Sequence, residues 1–503
     1  MNVAHLLDLH AGHRPGAPAV VGAGGPRSWR ALRERVTRLA GGLAAHGVGR
    51  GDRVAILAQN DARYFETYLA LAWLGALVVP LNTRLAPAEL AFQLADAEAR
   101  LWLVGDSLTA LADAVTPQPA RLALGDPSLL AGAPVDAFAA VTPEDTLGIF
   151  YTGGTTGLPK GVMLTHGNVL ANSRHVMRAI GYSAEDLHVH AAPIFHLADL
   201  GHLWAVALAG GAHAFVPSYS PETFCEAMER TRASVGVLAP AMVTALVRFA
   251  DLGRYDLSRW RVLVYGGSPI TEETLRRALA VLPCRLWQGY GQTEATQTVC
   301  FMTPEVHDLA LARPALVRSC GRPIAGVEVR VADASLEPVK PGESGEIVVR
   351  GPTVMKGYWK RPAETAEALA GGWLRTGDVA TVDADGYLYI LDRKKDMIIT
   401  GGENVYSVEV ENALASHPAV ADVGVIGVPD ETWGERVHAV VVLRPGSRAT
   451  PEELQAHCRT LIGGYKVPKT VEFVEALPRT PSGKIQKATL REPYWRGHSR
   501  KVS

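Results

Sequence analysis

The feature that most restricts the fold is an alternation of helical patterns with short apolar runs. "SWRALRERVTRLAGGLAAHGV" is amphipathic at helical spacing and ends at a glycine. "DRVAILAQN" follows as a strand, then a helix around Tyr64–Leu74, then "LVVPLN". "ARLWLVGD" repeats the strand signal. "RVLVYGGSPITEETLRRAL" reads as strand, glycine turn and helix, with Glu272 and Glu273 in the first helical turn, where the macrodipole favours carboxylates. This order predicts an α/β fold with layers of largely parallel strands.

From about Val327 the texture changes. "VEVRVAD", "GEIVVRG" and "GYLYILD" are short alternating strands between Pro/Gly turns, and predict a β-rich subdomain closing the large part. Beyond Asp392 a compact α+β unit of roughly 110 residues is expected, an ordinary domain size. It holds a helix near 407–416, strands "DVGVIGV" and "HAVVVL", a second helix and "KTVEFV". Thr450, Pro451 and Glu453 mark the second helix as N-cap, first-turn proline and capping-box glutamate. A chain of 503 residues is too long for one hydrophobic core. The expected domains are 1–394 and 395–503, the second one mobile. The charge run "DRKKD" at 392–396 lies at the junction and by itself reads as a solvated turn.

The 50 basic and 51 acidic residues nearly cancel, which gives no support to nucleic acid or an anionic membrane as the main partner. The five cysteines are scattered. They form no CxxC pair, no Cys/His cluster stands at metal spacing, and reduced thiols in a cytoplasmic location are expected. The N-terminus does not read as a signal peptide. The apolar run "LALAWLGALVVPL" from Leu69 is too short to span a bilayer and predicts a buried helix entering a strand.

"FYTGGTTGLPKG", residues 150–161, places glycines, threonines and a lysine where there is little to bury. Such a loop can bring backbone N–H groups, hydroxyls and an ammonium to phosphate oxygens. Pro159, not glycine, precedes Lys160, which argues against a P-loop NTPase. Alone, the loop is equally a nucleotide cradle or a surface turn. Downstream stand "QGYGQTE" (288–294), "WLRTGD" ending in Asp378, "LDRKKDMIITGGENVYSVEVE", and "PRTPSGKIQK" near the C-terminus. In this order and at these separations the five motifs resemble the adenylate-forming superfamily of acyl-CoA synthetases, adenylation domains and beetle luciferases. The look is closest to bacterial fatty-acyl-CoA and cinnamoyl-type CoA ligases, over nearly the whole chain.

The resemblance implies a role for each matching residue. Thr152, Thr155, Thr156 and Lys160 match the donors to the ATP β- and γ-phosphates, with Gly153 where the family usually has serine. Glu294 matches the carboxylate that supports Mg²⁺, joined by Thr155, and Thr293 lies beside the α-phosphate. Gly266, Gly267 and Ser268 match the adenine site, with Gln288, Gly289, Tyr290 and Gly291 completing the nucleotide contacts and Tyr290 stacking on the base. Asp378 matches the acceptor of both ribose hydroxyls, and Arg393 an arginine reaching ribose and phosphate. Lys395 falls at the hinge, so the charge run is better read as a pivot. Gly401, Gly402 and Glu403 border the coenzyme A path, where a bulky residue at 402 would block pantetheine. Lys484 matches the lysine of the first half-reaction, and His196 a position near the acyl and thiol site that can gate the tunnel.

The reaction so implied has two steps. A carboxylate displaces pyrophosphate from MgATP, and coenzyme A then takes the acyl group and releases AMP. The expected acid is an apolar medium or long fatty acid, with an arylpropenoate as the alternative. The pocket is expected at 196–200, 265–267 and 295–298, with Asp199 an oddity among small and apolar residues. A carrier-protein thiol in place of free coenzyme A, light emission, and a nucleotide-binding module without catalysis are the rival functions. The partners implied are a small carboxylic acid, ATP and coenzyme A, with a homodimer one assembly open to the chain.

Overall fold

The structure is a computed structural model. It describes residues 2–22, 24–152, 159–267, 270–393, 396–400, 403–430, 433–480 and 484–496. Contacts divide the chain into two compact units. The first holds residues 1–153, 159–329 and 349–375; the second holds 154–158, 330–348 and 376–503.

The first unit is built on two sheets, of nine and seven strands among the described residues. Both have a parallel centre; the nine-stranded sheet is antiparallel at both margins and the seven-stranded sheet at one. The alternation seen in the sequence is the reason. Helix Trp29–Ala45 is capped by Ser28, whose hydroxyl accepts from the Ala31 N–H. It leads to strand Arg53–Leu57, and helix Ala62–Leu74 ends on left-handed Gly75 before strand Leu77–Pro80. The apolar run from Leu69 is therefore a buried helix entering a strand. No helix among the described residues is long and apolar enough to cross a membrane.

The parallel strands Val262–Gly266 and Arg285–Tyr290 lie side by side, with Gly266 opposite Gly289. A Cβ on Gly266 would lie 2.4 Å from the Gly289 carbonyl oxygen, so only glycine lets these two strand ends approach. Open parallel sheets bind ligands at the carboxyl ends of their strands, and this is where "YGG" and "QGYGQTE" emerge.

In the second unit, strands Leu374–Val382 and Leu388–Arg393 run antiparallel and bring Asp378 opposite Arg393. A five-stranded sheet follows, in which Gly434–Leu443 is central and Val420–Asp430 pairs antiparallel along it. Its core is Ile398, Val410, Leu414, Val425, Val437, Val441 and Leu454, among others. Helix Pro451–Arg459 starts as its capping box requires: Thr450 Oγ1 accepts from the Glu453 N–H, and Glu453 Oε2 accepts from the Thr450 N–H.

Candidate active site

Thr152 closes strand Thr146–Thr152 and Lys160 opens strand Lys160–Thr165, facing each other across a hairpin. The Thr152 hydroxyl donates to the Lys160 carbonyl at 3.4 Å. Thr155 and Thr156 lie outside the described residues, as does Ser268. Gly357 and Tyr358 pair with Met163 and Val162 and extend the same sheet. The Lys160 ammonium then sits 5.0 Å from the centroid of the Tyr358 ring. The Tyr358 hydroxyl donates to Glu294 Oε1 at 3.0 Å. The turn Thr293–Ala295 is held from the same stretch, since Met355 N–H donates to the Glu294 carbonyl at 2.8 Å. Lys160 and Glu294, from two separate motifs, thus meet on one tyrosine.

The turn around Glu294 is conformationally demanding. Thr296 has φ +66° and Gln297 φ +142°, the second a region that side-chain-bearing residues rarely enter. A Cβ on Gly291 would lie 1.5 Å from the Gln297 carbonyl oxygen, so the glycine is obligatory. Gln288, Gly289, Tyr290, Gly291 and Thr293 are all half-buried at this strand end. The Tyr265 hydroxyl donates to Gln288 Oε1 at 3.3 Å and fixes its side chain. Gly267, with φ +83°, turns the chain at the end of the neighbouring strand. His196 is exposed and stands at the N-cap of helix Leu197–Ala209.

In the second unit, Arg393 Nε pairs with Asp378 Oδ1 at 2.7 Å, the carboxylate nearly buried and the guanidinium partly exposed. Glu346 accepts from the Gly377 N–H at 3.0 Å and Thr376 Oγ1 from the Asp378 N–H at 3.1 Å, so the "TGD" turn is held by its own hydrogen bonds. Lys484 is exposed, in a turn where its N–H donates to Thr480 Oγ1 and its carbonyl accepts from the Thr480 N–H. Lys395, Gly401 and Gly402 lie outside the described residues; Glu403 opens strand Glu403–Val405.

Both ends of the "DRKKD" run are buried, unlike a solvated turn. Asp392 accepts from the N–H and hydroxyl of Ser407, both at 2.6 Å, and Arg491 pairs with Asp396. Lys487 donates to Ser407 Oγ and pairs with Glu411 at 2.8 Å. Burial raises Asp392 and Glu411 above the usual carboxylate range, with Lys487 pulling against it. Burial alone would lower Lys487, but Glu411, Asp392 and Asp396 outweigh it and raise the ammonium.

Two groups were not visible in the motifs. Tyr358 stands in "MKGYWKRP", which has no chemical signature of its own. The other is a buried group of His and Asp that could hold a metal ion. His188 and His190 on strand Leu187–His190, with Asp199 from helix Leu197–Ala209, bring one ligand atom each within 4.8 Å of one another. The signal was a His-x-His at strand period, which puts both rings on one face. The third group, on a helix, has no fixed spacing from a strand. Asp199 is fully buried against these histidines.

Residues 7–359 match the model of the AMP-binding enzyme family, and residues 409–484 match that of the AMP-binding enzyme C-terminal domain. The chain is 43% identical to a feruloyl-CoA synthase of Amycolatopsis sp, over 95% of this chain and 96% of that protein. It is 35% identical to the fatty acid–[acyl-carrier-protein] ligase ScoC of Streptomyces coeruleorubidus, over 100% and 98%. Among solved structures, the o-succinylbenzoate CoA synthetase MenE of Bacillus subtilis, in complex with its acyl-adenylate intermediate, superposes with a TM-score of 0.86 at 30% identity, over 96% of this chain and 97% of that one. The chain therefore belongs to the AMP-binding enzyme family and is an adenylate-forming enzyme of the AMP-forming acyl-CoA synthetase kind.

Proposed function

We propose that the chain joins a carboxylic acid to the thiol of coenzyme A through an acyl-adenylate, with an arylpropenoate as the acid. The observation that carries the reaction is the convergence of Lys160 and Glu294 on Tyr358. It puts an ammonium and a carboxylate together beside a glycine-rich turn, the arrangement a triphosphate with its cation needs. A half-buried carboxylate with one oxygen fixed by a phenol is an oxygen donor of the type Mg²⁺ selects. Glu294 and Thr155 would hold that ion, which supplies neutralisation of phosphate charge.

In the first step a carboxylate oxygen attacks the ATP α-phosphorus, and the bond to pyrophosphate breaks. Thr152, Thr155, Thr156 and Lys160 hold the leaving phosphates. Asp378 accepts from the ribose hydroxyls, and Arg393, already paired with it, reaches the same sugar. Tyr290 stacks on the adenine beside Gly266, Gly267 and Ser268, with Gln288, Gly289, Gly291 and Thr293 lining the nucleotide. Lys484 bridges the incoming carboxylate and the α-phosphate, where two anions meet. In the second step the domain 395–503 turns about Lys395. Gly401, Gly402 and Glu403 admit pantetheine past His196, the thiolate attacks the acyl carbon, and AMP leaves.

The 43% identity to a feruloyl-CoA synthase supports an arylpropenoate over the fatty acid that the motifs first suggest. A fatty acid delivered to a carrier-protein thiol is the second reading, favoured by the full-length match to ScoC. Pyrophosphate release across a panel of fatty and arylpropenoic acids, followed by thioester assay with free coenzyme A and with a phosphopantetheinylated carrier, tests both. Saturation by medium-chain acids and not by arylpropenoates would reject the first reading. Thioester on the carrier alone would establish the second.

A further inference from the structure

Away from these motifs, a buried cluster of histidines is built on a strand of the nine-stranded sheet. His188 and His190 are two apart on an interior strand, and Asp199 reaches them from helix Leu197–Ala209. All three are completely buried. Asp199 Oδ1 is 2.9 Å from His190 Nδ1 and 3.2 Å from His188 Nε2. We propose that His188, His190 and Asp199 form a structural site for one divalent transition ion of the zinc class.

Two observations carry it. The first is spacing. Zinc bonds to imidazole and carboxylate of about 2.0–2.2 Å put tetrahedral ligand atoms about 3.4 Å apart; the 3.2 Å between His188 Nε2 and Asp199 Oδ1 is close to that edge, and the 2.9 Å His190–Asp199 hydrogen bond would be replaced by bonds to the ion. The second is unused valence. Neither ring nitrogen of His188 has a hydrogen-bond partner, and neither has Asp199 Oδ2, although all are sealed from water. Buried polar atoms are nearly always paired, so His188 Nε2 and Asp199 Oδ2 are two buried groups able to ligate a cation and left without a hydrogen-bond partner. Oδ2 is available as a fourth donor.

The surroundings fit an outer shell. His190 Nε2 lies 3.0 Å from His213 Nδ1, so a metal on Nδ1 leaves the other nitrogen of His190 to donate to its neighbour. His213 packs against Phe65 with the rings tilted, and His202 is engaged by the Tyr182 hydroxyl at 2.9 Å. Imidazole donors select against Mg²⁺ and Ca²⁺. Without access to water or substrate, the ion would hold strand to helix and take no part in the reaction.

The test refolds the full chain from urea with zinc or with chelator, then measures metal by mass spectrometry after native dialysis against EDTA. A buried ion resists the dialysis and is lost in urea. About one equivalent is expected in the parent, and less than about a tenth of that in Asp199→Asn. The zinc-refolded parent should also unfold at higher temperature than the chelator-refolded one. Refolding the parent with cobalt keeps the test decisive if the variant does not fold, since an imidazole–carboxylate site gives a visible ligand-field spectrum. Metal removed by native dialysis, equal metal in parent and variant, or a parent with neither zinc nor a cobalt spectrum overturns the proposal. The last result would assign the cluster to a shared-proton network instead.

Discussion

Tyr358→Phe removes one oxygen and keeps the ring, which separates the two contacts that meet on this residue. The lost contact is the 3.0 Å bond from the phenol to Glu294 Oε1. The contact retained is the Lys160 ammonium 5.0 Å from the ring centroid. A hydrogen bond to a charged group contributes roughly 1.5–3 kcal/mol when buried. Glu294 is half-buried, so about 1–2 kcal/mol is the appropriate figure, or roughly a 5- to 30-fold change in an equilibrium constant. With Glu294 as the Mg²⁺ ligand, that loss falls on metal and MgATP binding and not on the chemical step, because the carboxylate survives with its orientation loosened. The half-saturating Mg²⁺ concentration for pyrophosphate release should therefore rise about 5- to 30-fold, with the rate restored at saturating Mg²⁺. Tyr358→Ala should weaken MgATP by a further ~0.5–2 kcal/mol, through loss of the cation–π contact. The assay is burst pyrophosphate release against Mg²⁺ at fixed ATP, with the thermal midpoint of each variant checking the fold. A phenylalanine variant with parental Mg²⁺ dependence would refute the link between Tyr358 and metal binding. Equal losses in the two variants would refute the separation of its two contacts.

Lys484→Ala should lower the adenylation rate by about 10²–10⁴ and spare the fold, since the side chain is exposed; supplied acyl-adenylate should still give thioester, and adenylation at the parental rate would reject the role. Asp378→Ala should weaken ATP more than the carboxylic acid, by loss of the ribose acceptors, and unchanged ATP affinity by calorimetry in a folded variant would count against it. Lys395→Pro fixes φ near −65° and should leave adenylation near the parental rate while thioester formation drops by orders of magnitude; single-turnover kinetics showing equal loss in both steps would contradict a pivot at 395. Stability should fall with acid because burial pushes His166 and His307 down to about 4. The unfolded chain, titrating near 6.5, binds more protons between those values, so stability is whole above about pH 6.5 and shrinks by up to about 2 kcal/mol per histidine at pH 5; His166→Gln should flatten the urea midpoint between pH 7 and 5, and an unflattened slope would argue against the assignment.

What was legible in the sequence is what local chemistry decides. Thr450 announces a helix start because caps act within one turn. Strand and helix periods are equally local, so the parallel layers followed from them. Thr152 facing Lys160 and Asp378 facing Arg393 are hairpin partners, close in sequence once the strands are known. What was not legible needs long-range assembly. Tyr358 becomes a site residue only because the 357–358 strand pairs with 162–163 at a sheet edge. Asp199 stands out in sequence as a polar oddity in an apolar stretch. Its partners lie on a strand before it, and nothing in the spacing says that the helix lays it back across them. The solvated reading of "DRKKD" failed for the same reason. Its aspartates are buried by partners some 15 and 95 positions away.

That last group bears on how the proposed pivot could move Lys484. The lysine lies three residues before Lys487, where helix Lys487–Trp495 begins. Lys487 is bound to Ser407 and Glu411, and Arg491, one turn on, to Asp396. The turn carrying Lys484 is thus fixed to helix Ser407–Ala415 and to the residue that follows the pivot. On the proposed pivot it would therefore travel with helix Ser407–Ala415 and not by itself. Asp392, on the other side of the pivot, is held by Ser407 from the same group. A rotation between Asp392 and Asp396 would have to break the Asp392–Ser407 bonds while leaving Arg491–Asp396 intact. Those two hydrogen bonds are therefore the part of the buried cluster that distinguishes one arrangement of the proposed domain from the other. The rest would hold the proposed domain together as it turned.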